Sequence, residues 1–133
     1  MNTMKALVVD GPRRAEVKEV PIPVPGPGEL LIRVERAGIC GTDIHIYKGE
    51  YVSTYPVIPG HEFAGTVVQL GEGVTRFQLG DRVTVEPNIR CGQCAYCLSH
   101  RGNHCDHWQA VGVTRDGAMA EYVTVPAGNV FAL

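Results

Sequence analysis

Five cysteines are the residues of this sequence best suited to chemistry, and they are unevenly placed. Four fall in one short segment, which reads CGQCAYC at positions 91–97 and is followed by a fourth cysteine at position 105. Thiolates with two-residue spacers can wrap a tetrahedral zinc ion about 2.3 Å from each sulfur. Such a shell is closed to substrate, so the sequence predicts a structural zinc that pins the loop. The predicted ligands are Cys91, Cys94, Cys97 and Cys105.

Two other interpretations of this cysteine loop stay open on spacing alone. An iron–sulfur cluster also uses four thiolates, but the bacterial ferredoxin run has a tighter last spacing followed by proline, whereas Asp106 follows here. The cysteines could also be unligated. His100, His104 and His107 flank Cys105, and one of them could replace a sulfur or all could be solvated loop residues.

A second, dispersed group carries mixed metal-binding side chains. Cys40 stands alone, and His61 and Glu62 follow later in the chain. One sulfur, one nitrogen and one oxygen leave a fourth coordination position free for water or substrate, which is the pattern of a catalytic zinc. A free cysteine is also commonly a buried packing residue. The residues alone therefore leave both interpretations open.

The elements that must position these groups are short strands separated by glycine and proline. The segment 21–28 has prolines at alternate positions and is expected to be an extended connector. A short helix is predicted over 41–47, with Thr42 or Asp43 near its N-terminal cap. Many short strands predict a mainly β fold, either a small barrel or a sandwich. The predicted strands cover 5–9, 15–20, 30–37, 62–70, 82–85 and 118–125.

Bulk properties exclude several classes of function. The chain has 133 residues, with 44% hydrophobic and 20% charged residues, which fits one globular domain. The net charge is −2 without a basic stripe, so nucleic acid is not an expected partner. Apolar runs are too short to cross a membrane, and no secretory segment is visible. We expect a cytoplasmic location, where five cysteines do not form a disulfide framework.

Four motifs in order resemble the zinc-containing medium-chain dehydrogenase/reductase family: ICGTDIH at 39–45, PGHEFAG at 59–65, GDRV at 80–83 and the cysteine loop. The resemblance covers essentially the whole chain. It is closest to the sorbitol and threonine dehydrogenase branch. It implies a GroES-like catalytic domain, a twisted and partly open β-barrel with short helices and a zinc-stabilised loop.

The resemblance also implies roles for single residues. Cys40 and His61 match the catalytic zinc ligands, and Glu62 matches the third ligand of the polyol branch. Thr42 matches the hydroxyl that contacts the alcohol, while a helix cap is its alternative role. His45 matches the histidine that passes the proton to solvent.

Asp43 matches a carboxylate that orients the His61 ring, with helix capping as its alternative role. Tyr47, Tyr51 and Tyr55 lie between the two motifs and are candidates for the pocket mouth or for partly buried loop aromatics.

The reaction implied is oxidation of a polyol or secondary alcohol to a ketone, with hydride transfer to NAD or NADP and two zinc ions per chain. No G-x-G-x-x-G motif follows a strand, so the coenzyme domain is expected to be absent. We expect residues 1–133 to form the catalytic domain, with a zinc lobe at about 87–107. Such a fragment would be inactive alone, and the full-length protein is expected to be a homo-oligomer.

Three other functions compete with this interpretation. A stand-alone zinc-binding module needs the cysteine loop but not the dispersed group. A co-chaperonin-like module would share the fold but would need neither metal site. It stays open because a shared fold does not fix function. A zinc-free quinone reductase of the same superfamily would lack the cysteine loop. Counting bound zinc separates the first two from a dehydrogenase: two ions per chain for the dehydrogenase, one for the zinc module and none for the co-chaperonin.

Overall fold

A computed structural model describes residues 2–133. The chain is mainly β, as the sequence predicts, with two short helices between strands. The strands are β1 (Thr3–Gly11), β2 (Arg14–Pro21), β3 (Glu29–Gly38), β4 (Glu62–Leu70), β5 (Arg82–Val85), β6 (Asn88–Ile89), β7 (Gln109–Ala110), β8 (Tyr122–Pro126) and β9 (Val130–Ala132). The helices are α1 (Gly41–Lys48) and α2 (Ala95–Leu98).

The central sheet has five antiparallel strands in the order β8-β3-β4-β5-β9. The pairing of β3 with β4 shifts register twice, between Leu31 and Ile32 and between Val34 and Arg36. Such irregularities add local twist and bend the strand, so the sheet curls into a half-barrel. The β1–β2 hairpin forms a separate two-stranded sheet, and an isolated bridge joins Val9 of β1 to Val57 in the loop before β4.

The main core lies inside the curl of the five-stranded sheet. Its twelve buried residues include nine apolar side chains from β3, β4, β5, β8 and β9. A second core cluster holds α1 against the hairpin through Ile46, Val9 and Val57. Ile46 is fully buried and is the only buried apolar residue of α1, so it makes the main apolar contact of this helix.

The predicted strands 62–70 and 82–85 are confirmed as β4 and β5, and 5–9, 15–20 and 30–37 fall within β1, β2 and β3. The prediction of a strand over 118–125 was wrong in its first half. Backbone groups of Gly117, Ala118 and Met119 instead donate hydrogen bonds to the loop 58–60, so β8 begins only at Tyr122.

The predicted helix 41–47 is confirmed as α1. Its N-cap is Cys40, and the predicted capping role of Asp43 is confirmed, since its carboxylate accepts a hydrogen bond from the Cys40 N–H. Strands β6, β7 and β9 are too short to give a period-2 pattern and were not predicted. Among residues 2–133, no helix has the length and apolar character needed to span a membrane.

Candidate metal centres

The dispersed group comes together where β3 ends and β4 begins. Gly38 at the end of β3 pairs with Glu62 at the start of β4. Cys40 lies two residues beyond that pair and caps α1, and His61 immediately precedes β4. The antiparallel register therefore places residues from distant parts of the sequence at one end of the same strand pair.

The side-chain ligand atoms of Cys40, His61 and Glu62 all lie within 4.8 Å of one another. Cys40 is half-buried, the His61 side chain is 13% exposed, and the Glu62 side chain is 59% exposed. The sulfur and the imidazole are therefore partly sheltered from solvent, whereas the carboxylate is exposed to it. A sulfur, a nitrogen and an oxygen at this spacing suit a zinc ion with an open coordination position.

Asp43 connects the helix to the histidine. It is the one buried charged side chain of residues 2–133, and its Oδ2 accepts a hydrogen bond from the Cys40 N–H at 2.9 Å. Its other oxygen, Oδ1, lies 3.6 Å from His61 Nδ1, and within the described chain neither atom has a hydrogen-bond partner. A metal-bound imidazole needs an acceptor on its second nitrogen, and this carboxylate oxygen is the group in place to supply one.

A close contact between three glycines holds the backbone beside His61. A Cβ atom on Gly117 would lie 2.1 Å from the carbonyl oxygen of Gly60, and one on Gly112 would lie 2.3 Å from it. Gly60 itself has a φ of 107°, which side-chain-bearing residues rarely adopt. The Ala118 N–H donates to the Gly60 carbonyl at 3.0 Å. The loop 110–119 therefore fixes where the histidine leaves the backbone.

The remaining predicted residues of this site lie along α1 and the loop after it. Thr42 is half-buried, and His45 is exposed one turn further along the same face of the helix. Tyr47 and Tyr51 are 36% and 45% exposed. Tyr55 is half-buried, and its hydroxyl donates to the Ile46 carbonyl, which makes it a supporting residue of α1.

The cysteine loop forms the second candidate metal centre. The sulfurs of its four cysteines lie within 4.8 Å of one another, and among the described residues no histidine belongs to this group. Gly92 has a φ of 74°, which lets the chain turn between Cys91 and Cys94. His100, His104 and His107 are exposed, as expected for solvated loop residues.

Backbone amides point at the sulfurs. Cys91 Sγ accepts hydrogen bonds from the N–H groups of Gln93 and Cys94, each at 3.3 Å. Cys105 Sγ accepts from the N–H groups of Cys91 at 3.3 Å and His107 at 3.4 Å. Donors arranged around sulfur favour the thiolate form, which is the form that binds metal.

The pKa values of the loop cysteines respond to this arrangement. The Asp106 N–H is the main cause that lowers the pKa of Cys94 to about 6. The pKa of Cys105 is also lowered, mainly by the Cys91 N–H. Desolvation raises the pKa of Cys97 to about 12, and hydrogen bonds with the neighbouring cysteine side chains raise it further. A bound divalent cation offsets that penalty, so the donor set fits a closed four-sulfur zinc site.

Side-chain contacts attach the loop to the barrel. Trp108 Nε1 donates to Asn88 Oδ1 at 3.0 Å. Asn129, just before β9, donates from Nδ2 to the carbonyl oxygens of Glu86 at 2.7 Å and Asn88 at 2.8 Å. These contacts lie at the base of the segment 87–107, which is called the zinc lobe below.

Sequence reasoning missed two features of the site. The glycine contact was not found, although PGH at 59–61 and VGVTRDG at 111–117 carry the signal for a close backbone approach. Glu50 was also missed. Its carboxylate contacts the His45 ring, and no sequence motif identifies that pairing.

Comparisons with known proteins agree with this geometry. Residues 26–133 match the family model of the alcohol dehydrogenase GroES-like domain. The chain is 42% identical over 135 aligned residues to L-threonine 3-dehydrogenase of Xanthomonas campestris pv. campestris (strain B100), which covers 98% of this chain and 40% of the relative. It is 48% identical over 123 residues to sorbitol dehydrogenase of Halalkalibacterium halodurans, which covers 90% of this chain and 36% of the relative.

Solved structures give the same result. A protein from Sinorhizobium meliloti 1021, described as a zinc-binding dehydrogenase bound to NADP, superposes with a TM-score of 0.97 at 46% identity. That match covers 100% of this chain and 39% of that one. A thermostable alcohol dehydrogenase from Pyrobaculum aerophilum, with cobalt and zinc bound, gives a TM-score of 0.91 at 38% identity over 98% of this chain and 41% of its own.

The curled half-barrel and its cysteine-rich loop define a GroES-like domain of the zinc-binding dehydrogenase class. The chain belongs to the zinc-type alcohol dehydrogenase family. It spans about two fifths of the length of the curated relatives it matches.

Proposed function

We propose that this chain is the metal-bearing catalytic domain of an NAD(P)-dependent dehydrogenase that oxidises a polyol or secondary alcohol to a ketone. One observation carries the proposal: the ligand atoms of Cys40, His61 and Glu62 lie within 4.8 Å of one another, beside the half-buried Thr42. The threonine and sorbitol dehydrogenase relatives support this substrate class. The coenzyme-binding domain would belong to a longer protein.

Three side chains would hold the catalytic zinc, and four would hold the structural one. The catalytic ligands proposed are Cys40, His61 and Glu62. When bound, a zinc with an open position supplies Lewis acidity toward a substrate oxygen. The structural ligands proposed are Cys91, Cys94, Cys97 and Cys105.

The chain's own residues would manage the proton and the orientation of the ligands. The Thr42 hydroxyl would hold the proton that leaves the alcohol, because it lies at the helix start next to the proposed metal ligands. His45 lies three residues along the same helix face and is exposed, so it can pass that proton to water. Asp43 would keep the His61 ring in one orientation through the 3.6 Å approach of Oδ1 to Nδ1.

Metal counting on the 133-residue chain tests the proposed sites. Elemental analysis of zinc-loaded protein should give two zinc ions per chain. Cys40→Ser and Cys94→Ser should each remove one, from different sites. A count of one that Cys40→Ser leaves unchanged would favour a stand-alone zinc module, and a count of zero would favour a co-chaperonin-like domain.

The activity needs the longer gene product that contains this domain. We expect NAD- or NADP-dependent oxidation within a panel of polyols, amino alcohols and simple secondary alcohols. Cys40→Ser in that protein should abolish turnover, whereas Asp10→Asn, which removes only a carboxylate paired with Lys18 on the β1–β2 hairpin, should leave it intact. Equal turnover in the wild type and in Cys40→Ser would refute the catalytic role of the dispersed site.

A further inference from the structure

His45 and Glu50 form a contact that is fixed by both side chains and backbone. His45 Nδ1 lies 2.9 Å from Glu50 Oε1. The Glu50 N–H also donates to the His45 carbonyl at 2.8 Å. Gly49 ends α1 in the left-handed conformation, with a φ of 80°, and this turn folds Glu50 back onto the last turn of the helix.

The surroundings of this pair keep Glu50 ionised. The hydrogen bond with His45 is the main cause that lowers the pKa of Glu50, and the nearby charges of Lys48 and Arg13 lower it further. Lys48 comes from α1 itself, and Arg13 comes from the β1–β2 turn, whose backbone N–H donates to the Tyr47 carbonyl. An ionised carboxylate has no proton to donate, so the hydrogen between the two side chains must lie on Nδ1 of the ring.

We infer that Glu50 is a positioning residue that holds neutral His45 in the tautomer with its proton on Nδ1, which leaves Nε2 as the proton acceptor. The tautomer of a histidine is set by the hydrogen bond that its other nitrogen makes. The link to proton delivery rests on the proposed function. The tautomer itself follows from the geometry of His45 and Glu50.

The consequence for proton transfer is a defined cycle. A proton that arrives from the Thr42 side bonds to the lone pair of His45 Nε2, and the ring becomes an imidazolium with one positive charge. The Glu50 carboxylate stabilises that charge from the Nδ1 side. The His45 side chain is 58% exposed, so Nε2 releases the proton to water and the ring returns to the same tautomer.

A second exposed pair provides a matched control. Lys18 Nζ lies 2.9 Å from Asp10 Oδ2, and the two side chains are 38% and 36% exposed. This pair belongs to the β1–β2 hairpin, and no hydrogen bond joins either of its side chains to His45 or Glu50. Removing the Asp10 charge changes the net charge as much as removing Glu50 does, without touching His45.

Nitrogen-15 NMR of the zinc-loaded chain, labelled at histidine, tests the inference at a pH where the rings are neutral. The signals of His45 are assigned by their loss in His45→Gln. In the wild type and in Asp10→Asn we expect the Nδ1–H form to dominate. In Glu50→Ala the ratio of the Nδ1–H to the Nε2–H form should fall severalfold, and in Glu50→Gln, whose amide can donate or accept, the ratio should be intermediate.

Two outcomes would overturn the inference: an Nε2–H tautomer in the wild type, or an unchanged tautomer ratio in Glu50→Ala. Zinc content is measured on the same samples and should stay at the wild-type value in both Glu50 variants. This measurement separates the two proposals. A missing second zinc contradicts the proposed function, whereas the tautomer ratio reports on Glu50 alone.

Discussion

The two candidate metal centres of this molecule are built in opposite ways. The zinc lobe takes all four ligands from one segment, between Cys91 and Cys105, and only Cys105 among these ligands is buried. The dispersed site takes its ligands from two segments held by the β3–β4 pair and by α1. The lobe contains little apolar core, whereas the dispersed site lies at the edge of a packed barrel.

This difference indicates what each centre depends on. In the zinc lobe, few buried apolar contacts offset the entropy of ordering the chain, so metal binding must supply much of its folding free energy. In the dispersed site, the barrel core and the glycine contact position the ligands without metal. We therefore expect the lobe to need a bound ion in order to fold, and the dispersed site to need the fold in order to bind one.

The largest effect is expected from a substitution that removes one of the four cysteine ligands of the zinc lobe. Cys94→Ser should remove one zinc, and with it a zinc-coupled folding free energy on the order of 10 kcal/mol. Amide hydrogen exchange across 91–107 should become fast, while exchange in β3 and β4 stays slow. Slow exchange in the lobe of this variant would show that its fold is independent of metal.

Gly117→Ala should have the next largest effect, on the dispersed site. The new Cβ would lie 2.1 Å from the Gly60 carbonyl oxygen, so the backbone before His61 must move. We expect about 1–3 kcal/mol lower unfolding free energy in urea and weaker zinc binding at the Cys40 site, with the lobe zinc retained. Gly128→Ala is the control, because its Cβ would meet nothing within 4 Å. Equal losses in both variants would contradict a specific role for the glycine contact.

Asp43→Asn tests the support of His61 with a smaller change. Loss of an acceptor for a metal-bound histidine typically weakens metal affinity by about 10–100-fold. Competition with a zinc chelator should show this weakening at the dispersed site only, and the lobe zinc of the same protein is the internal reference. An equal shift of both sites would indicate a general loss of structure instead.

Glu35→Gln should have the smallest effect and should leave both zinc affinities unchanged. The Thr66 hydroxyl donates to Glu35, and with Arg82, Arg33 and Arg36 it lowers the pKa of that carboxyl. A lowered folded-state pKa stabilises the protein above the unfolded-state value, and this contribution is lost as pH falls through the folded-state pKa.

Urea unfolding of Glu35→Gln and the wild type across a pH series measures that contribution. The wild type should be slightly more stable at neutral pH, and the difference should shrink in acid. A difference that grows as the pH falls would have the wrong sign for this assignment.

The features that the sequence predicted correctly are those that depend on short, local residue patterns. Regular alternation in β4 and the turn before β5 marked both strands, and cysteine spacing marked the four sulfurs that the structure brings together. The sequence did not indicate which distant segments of the chain pair with each other. The segment 118–121 alternates like a strand, yet Ala118 and Met119 bond to the loop before His61 and Glu121 bonds to β1. The Glu50 contact depends on how the chain turns at Gly49.

The side-chain amide of Asn129 connects the final strand to the segment at the base of the zinc lobe. One nitrogen bonds to carbonyls at the root of the lobe, and the same residue leads directly into β9 at the edge of the sheet. The position of the edge strand is thus linked to the base of the lobe through two hydrogen bonds of one side chain. A substitution that removes this amide is therefore expected to loosen the final strand and the base of the lobe together.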